Sequence, residues 1–302
     1  MTIARNRILC LALIAMLAQP TSALHAATSA QGFGFISPKS DAPISIEADN
    51  GIEWSRKDNV YIARGNAKAQ SGDVTVEADE LRGYYRDGQS ASPVPSNTTD
   101  IAAGLTPGGK FELYKLEAIG NVRIHSGASV LTSERAFYDL DQMVFVAEGK
   151  SIELQSDKTK LTAGEKIEYW QNKNLAVARG GATAIQDKSR LQADIITAHF
   201  NGNGKDDKMA IDRIDASGNV KIQSGDNLAA ASSATYDLGS GQATMKGAVK
   251  LTQGPNQLNG DYAEMNTKTG ISRILSNKDK GQGMGRVRAL VIPDAAKKTS
   301  SY

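Results

Sequence analysis

Few side chains in this 302-residue sequence could do chemistry. Its histidines are His25, His125 and His199, and its single cysteine is Cys10. A metal site of the common kind needs His, Cys or carboxylate ligands at short fixed spacings, such as H-x-x-x-H. His125 lies in RIHSGAS and His199 in ITAHFNG, and neither has a second histidine or a carboxylate at such a spacing. Both read as surface or rim residues rather than ligands or general bases. Asp206-Asp207 sits in NGNGKDDK without the spacing of a calcium loop, and GQGMG at 281–285 lacks the strand before it and the helix after it that a nucleotide loop needs. Asn97-Thr98-Thr99 matches a glycosylation pattern, but in a loop-like stretch with no further signal. None of these residues forms a recognisable catalytic or metal-binding pattern, and no cofactor motif is expected.

The first residues set the compartment. Arg5 and Arg7 precede an apolar run from Ile8 to Ala18, then Pro20 and the small residues of TSALHAA. Eleven apolar residues are too few to span a bilayer, so residues 1–27 read as a cleavable secretory signal, with a retained membrane anchor as the alternative. Cys10 lies inside this segment, which leaves the exported chain without a thiol or disulfide. Arg5 and Arg7 are also the only charged residues there, so 33 basic and 33 acidic residues remain. A balanced chain without a basic cluster argues against nucleic acid. The expected location is the periplasm, reached across the inner membrane with the signal cleaved.

What must position any binding surface is a repeat. Ile46, Val76, Leu131, Leu161, Leu191, Leu228 and Leu258 each open an "L-x-A"-like element, mostly 30 residues apart. The two longer gaps coincide with residues 86–110, rich in Pro, Ser, Thr and Gly, and with the polar turn 201–208. Both read as loop insertions. A second marker is a glycine at 65, 120, 149, 180, 218 and 247, flanked by apolar residues at even offsets. Period-2 alternation predicts strands with one buried face, and nothing obeys the helical spacing. The glycine lies in the apolar parity and reads as a corner. Around Gly149 the alternation slips by one, which predicts a β-bulge there.

Parity assigns the inner face. Before the corners it places Ala63, Ala118, Ala147, Ala178 and Ala216 inward. After them come Ala67, Val122, Ile124, Ile152, Ala182, Val220, Ile222 and Val249. A third marker, seven or eight residues after each opening residue, is a ring: Trp54, Tyr84, Tyr138, Tyr169, His199 beside Phe200, and Tyr236, with Met265 in the last copy. These predict an aromatic ladder in the core or at its rim.

The recurring A-x-G-N-V-x-I-x-S-G…L-x-A…Y pattern, with PISIEAD at 43–49 and ARGNA at 63–67, resembles the OstA-like family. The resemblance covers about Pro43 to Leu275. It implies an all-β fold, an open twisted antiparallel β-jellyroll, here of about seven 30-residue repeats. It implies that the apolar groove holds lipopolysaccharide acyl chains, which would make the thirteen inward residues ligand-binding. It also implies partners among inner-membrane and outer-membrane lipopolysaccharide-transport proteins, reached through sheet edges, with head-to-tail self-association and no enzymatic activity. The expected organisation is a signal at 1–27, a flexible segment at 28–42, the β-domain at 43–275, and a flexible basic tail at 276–302. RVRALVI at 286–292 could form a last strand or a docking segment.

Two other classes fit parts of the pattern. A secreted structural or adhesive β-solenoid would fill its interior with large interlocking side chains. A polysaccharide-active enzyme would need paired carboxylates in a column on one exposed face, and the outward positions show none.

Overall fold

The computed structural model describes residues 44–87, 111–156, 158–201, 210–276 and 286–291. The signal, the segment 28–42, nearly all of the insertions at 86–110 and 201–208, Asn97, Asp206-Asp207, GQGMG and most of the tail lie outside them. The described chain is antiparallel β-structure with one 3-10 turn at Gln171–Lys173. Its strands are β1 Ser45–Glu47, β2 Ile52–Ser55, β3 Val60–Ser71, β4 Val74–Asp87, β5 Phe111–Ser126, β6 Ser129–Asp139, β7 Val144–Glu148, β8 Ile152–Gln155 and β9 Thr159–Ala163. They continue as β10 Lys166–Trp170, β11 Leu175–Gln186, β12 Ser189–Asn201, β13 Ala210–Ser224, β14 Asn227–Asp237, β15 Gln242–Gln253, β16 Asn256–Asn266, β17 Ile271–Leu275 and β18 Arg288–Leu290. The all-β, antiparallel expectation holds.

These strands form two compact units. The N-terminal unit takes the described residues within 44–156 and 163–176, which hold β1 to β8 and β10. The C-terminal unit takes those within 158–162 and 177–291, which hold β12 to β18 with most of β9 and β11. Within each unit, successive strands pair as hairpins, for example β4 with β5 and β5 with β6, or β13 with β14 and β14 with β15.

Except at Gly149, where β7 ends at Glu148 and β8 begins at Ile152, the strands do not end at the marker glycines but run through them. Single strands of 11 to 16 residues span both sides of such a corner or of its neighbour. At each corner the register gains one residue on the glycine strand. Ile119 faces Arg135 and Val122 faces Ser133, so three steps on β5 match two on β6. The same slip occurs at Ser217/Val220, Lys246/Val249 and Arg64/Ala67. Bulges are thus the rule of the repeat, a correction to the single bulge expected near Gly149.

Two consecutive residues with positive φ make the bend. Gly120 and Asn121 have φ of 76° and 48°, and Gly218 and Asn219 have 75° and 50°. Glycine takes this region freely and asparagine is the non-glycine residue best suited to it. Space is the second constraint. A Cβ on Gly120 would come within 2.2 Å of Asp79 Oδ2, and one on Gly218 within 2.1 Å of Asp194 Oδ2. Those carboxylates accept from the asparagines, Asn121 Nδ2 to Asp79 Oδ2 at 2.9 Å and Asn219 Nδ2 to Asp194 Oδ2 at 2.9 Å. The G-N of the repeat is therefore a corner clasped by an aspartate on the neighbouring strand.

The bulge also explains an odd spacing. On β6, Leu131 and Ser133 point inward, the chain slips at Glu134, and Ala136 and Tyr138 point inward after it. A ring seven residues after a leucine can share its face only if the alternation breaks once between them. The same slip shifts the buried ring by one position on β4 and on β12. Tyr85 and Phe200 are buried, while Tyr84 and His199 turn outward. Leu228 is exposed, and Ala229 takes its inward place opposite Ile222. Ile46 is exposed because β1 is an outermost, short strand paired only with β3 among the described contacts.

Candidate functional site

All thirteen inward residues predicted from parity are buried: Ala63, Ala67, Ala118, Val122, Ile124, Ala147, Ile152, Ala178, Ala182, Ala216, Val220, Ile222 and Val249. Arg123, between Val122 and Ile124, is exposed. The register aligns several of them into rows. Ala63, Leu81, Ala118, Ala136, Ala147 and Ile167 run side by side across six strands of the N-terminal unit. In the C-terminal unit Ile196, Ala216, Ala234, Met245, Ala263 and Ile274 make the corresponding row. Beyond the corner, Leu191, Ile222, Ala229, Leu251 and Leu258 form another. Ala178 and Ala182 lie on β11 without a described cross-strand partner in these rows.

Alanine holds seven of the twelve positions in the two rows next to the corners. A side chain on one sheet layer falls below a few percent exposure only when a second layer covers it. That cover is the other arm. An apolar cavity of about 20 Å³ in the C-terminal unit is lined by Ile214, Ala216, Ala234 and Tyr236 on one arm and Leu191 and Ile222 on the other. It holds about one water-sized sphere. Residues of both arms thus line one apolar space in this unit.

The next row outward from the corner distinguishes the units. In the N-terminal unit it reads Tyr61, Gly83, Leu116, Tyr138, Phe145, Tyr169. Trp54 stacks on Tyr61 at 5.9 Å, Tyr61 tilts against Tyr85 at 5.2 Å, and the Trp54 indole N–H donates to the Tyr85 hydroxyl. Burial pushes the Tyr61, Tyr138 and Tyr169 phenols up. In the C-terminal unit the row reads Ala198, Ile214, Tyr236, Ala243, Met265, Ser272, with one ring only.

The outward faces carry the polar groups. In the N-terminal unit Glu117 is buried yet accepts from Arg135 Nε at 2.7 Å and from the Tyr84 hydroxyl at 2.8 Å. Burial alone pushes its carboxyl up, but these two donors outweigh it and hold Glu117 below the usual carboxylate range. Arg135 also reaches Glu148 at 3.1 Å and lies over the Phe137 ring. Glu53, Arg64, Glu80 and Arg82 extend the ion pairs along the sheet. In the C-terminal unit His199 Nε2 lies 2.9 Å from Asp215 Oδ2, Arg213 Nε donates to the same oxygen at 2.9 Å, and Thr235 donates to Asp215 Oδ1 at 2.8 Å. The absence of a local carboxylate beside His199 in the sequence hid this pair, which the β12–β13 pairing assembles from sixteen residues apart. Arg213 Nη2 also lies 2.9 Å from His199 Nε2, so the tautomer decides whether that nitrogen donates to Asp215 or accepts from Arg213, while Arg213 Nε and Thr235 donate to Asp215 in either case. Among the described residues no group of His, Cys, Asp and Glu has metal-holding geometry.

The outermost strands are the other surface of interest. β2 and β1 pair with the two arms of β3, and β17 and β18 pair with the two arms of β16. Eight of the ten large apolar residues exposed among those described lie here: Ile44, Ile46 and Ile52 in or beside β1 and β2 of the N-terminal unit, and Ile271, Leu275, Val287, Leu290 and Val291 in or beside β17 and β18 of the C-terminal unit. Such edges are a pairing hazard unless a partner covers them.

The class so defined is an all-antiparallel β-protein with an apolar inner face folded between two arms and apolar edge strands. Part of the chain matches a family model. Residues 160–271 match the family model described as LptA/(LptD N-terminal domain) LPS transport protein. The chain thus resembles LptA and the OstA-like family across that span. An uncharacterized protein of Rhizobium meliloti (strain 1021), R00383, is 27% identical over 138 residues, 46% of this chain and 66% of that relative. The chain therefore spans just under two thirds of that relative's length. LptH, the LptA homologous periplasmic component of the lipopolysaccharide transport device of Pseudomonas aeruginosa, matches at 15% identity with a TM-score of 0.35, over 51% of this chain and 97% of that structure. Among the described residues no helix is long and apolar enough to cross a membrane.

Proposed function

We propose that this protein acts in lipopolysaccharide transport as a periplasmic carrier and bridge. Acyl chains of lipopolysaccharide lie between the two arms, against Val122, Ile124, Val220, Ile222 and Val249. The observation that carries the reading is the run of unbroken apolar rows across six strands, in a chain whose residues 160–271 match an LPS transport family. Apolar burial is non-directional, at roughly 25 cal/mol per Å², which suits a ligand that must slide. Small residues beside the corners limit what must be displaced.

The bridge forms through the edges, by strand addition to inner-membrane and outer-membrane transport proteins or to a second copy. Charge supports a polar, head-to-tail order. The β1–β2 end, residues 44–55, carries Glu47, Asp49 and Glu53 and no base; the described residues of the other end, 271–276 and 286–291, carry Arg273, Arg286 and Arg288 and no acid. Residues 1–27 are removed on export. The chain works without catalysis or a cofactor.

One observation favours the alternative of a structural or adhesive β-solenoid without a lipid ligand: the interior is filled by the protein's own side chains. Photo-crosslinking separates the two. A photoreactive residue at Val122 or Ile222 forms a lipopolysaccharide adduct in cells, and one at Arg123 does not. Failure at both inner sites, or equal adducts at the outward site, sinks the carrier reading.

A further inference from the structure

The outward face of the C-terminal unit beyond the corners differs from every other outward surface described. Its register places Gln192, Lys221, Ala230, Lys250, Asn259 and Arg288 side by side on β12, β13, β14, β15, β16 and β18. Cations thus stand on every second strand, separated by small neutral residues. Strands lie about 4.8 Å apart, which sets Lys221, Lys250 and Arg288 at intervals of roughly 10 Å. The adjoining row reads Arg190, Gln223, Leu228, Thr252, Gln257, Leu290. No outward position in either row is acidic. Asp187 and Asp226 lie in the hairpin turns at the end of this arm. Arg190, Lys221, Lys250 and Arg288 are exposed, and no ion pair of theirs is among those described.

Among these cations stands Leu228, 43% exposed and the one large exposed leucine described away from the outermost strands. It belongs to neither the packed interior nor an edge. An exposed apolar side chain set in a field of unpaired cations marks an interaction surface. The matching arm of the N-terminal unit shows that the fold does not require this. There Lys68, Glu77, Arg123 and Glu153 alternate in sign along the same outward row.

We propose that this face docks on a phosphate-bearing anionic lipid surface, with Arg190, Lys221, Lys250 and Arg288 on the headgroups and Leu228 in the interfacial layer. A lipid leaflet offers what the face asks for, a plane of phosphates at intervals shorter than the lysine spacing above an apolar layer. Lysine and arginine stems reach such phosphates while their methylenes lie on the sheet. A soluble polyanion would match the charges and leave Leu228 in water. The inference is independent of the inner face, so the carrier reading and this one can fail separately.

The test is flotation of the full chain with vesicles of phosphatidylcholine alone or enriched in phosphatidylglycerol. The chain floats with the anionic vesicles and not with the neutral ones. Neutralising two cations in K221A/K250A weakens partitioning about thirtyfold, on the scale of a juxtamembrane basic residue. L228S also weakens it, and the loss persists at high salt, where screening has removed the charge contribution. K68A/R123A, the same charge change on the other unit, leaves it intact. Equal flotation with neutral vesicles overturns the proposal. So does unchanged binding by K221A/K250A. Unchanged binding by L228S, with displacement by a soluble polyphosphate, assigns the face to a soluble polyanion instead.

Discussion

The two units share one plan and hold it by different means. In the N-terminal unit the outward face is knitted by ion pairs and a tyrosine hydrogen bond, Glu53–Arg64–Glu80–Arg82 and Tyr84–Glu117–Arg135–Glu148, and the inner row one step out from the corner-flanking alanines is mostly aromatic. In the C-terminal unit the corresponding inner row is mostly alanine and aliphatic, and one outward arm carries cations without acids. What stays constant is the corner: a glycine with positive φ, a second left-handed residue, and a polar side chain of the next strand against the bend. Side-chain pairs are therefore interchangeable supports, whereas the bent backbone defines the fold.

Substitution at a corner is the strongest way to break this comparison, because both units should fail alike. Gly218→Val forces a branched side chain into positive φ and onto Asp194, and Gly120→Val does the same against Asp79. Each combines backbone strain of about 1–3 kcal/mol with a clash that shifts the neighbouring strand. Loss of the cooperative thermal transition, or a melting point lower by at least ten degrees or so, is expected in each. If G120V melts like the parent while G218V does not, the corner is not the shared element. Next in size is the interior. Leu131→Ala removes a side chain that is 1% exposed, at an expected cost of about 2–5 kcal/mol in urea unfolding. Leu228→Ala, the residue the sequence pattern would equate with it, should change stability by less than about 0.5 kcal/mol because it is exposed.

That pair shows where the sequence was readable. Alternation around each glycine placed all thirteen inner residues, because the glycine strand keeps its parity through the bend: Ala118, Val122 and Ile124 stay on one side. The neighbouring strand absorbs the mismatch and switches parity at Asp79, Glu134, Asp194 or Ser232. The ring marker therefore fell on Tyr84 and His199, one short of the buried Tyr85 and Phe200, while Leu228 sits one position before the inward Ala229. The odd interval from Leu131 to Tyr138 was the available signal, since no unbroken strand returns to one face after seven residues. The aspartate clasp was less legible. Asp79 and Asn121 are 42 positions apart, and only the hairpin register brings them together. The packing of one arm on the other depends on the bend angle, and no short pattern encodes that.

Acid should separate the units. Protonation removes what Glu117 gains from Arg135 and Tyr84. Its folded pKa is depressed, so its contribution is complete above the ordinary carboxylate range and disappears as pH falls through that range and the folded value below it. The N-terminal unit should then lose protection first, as amide hydrogen exchange on β5 and β6 relative to β13 and β14. Glu117→Gln keeps the volume and removes the charge, leaving Arg135 with Glu148 alone. It should destabilise by about 1–3 kcal/mol at neutral pH and flatten the acid dependence of the N-terminal unit. An acid profile unchanged by E117Q would show that other carboxylates govern it.

The smallest effect should come from the ion pair that looks strongest on paper. Arg86 donates to Asp141 at 2.7 Å and to Glu112 at 3.0 Å, and these partners raise its pKa and lower that of Asp141. All three side chains are substantially exposed, so water and salt screen the attraction and ordering three long chains offsets it. Arg86→Ala should leave the melting temperature unchanged at moderate salt, with at most a small drop at low ionic strength. The comparison with Glu117 is then one of burial. Arg135 and Arg86 each contact two carboxylates, but Glu117 is covered and the partners of Arg86 are not. If R86A unfolds the N-terminal unit as readily as E117Q, exposure is not what ranks these pairs, and the ladder acts as one coupled network across the sheet.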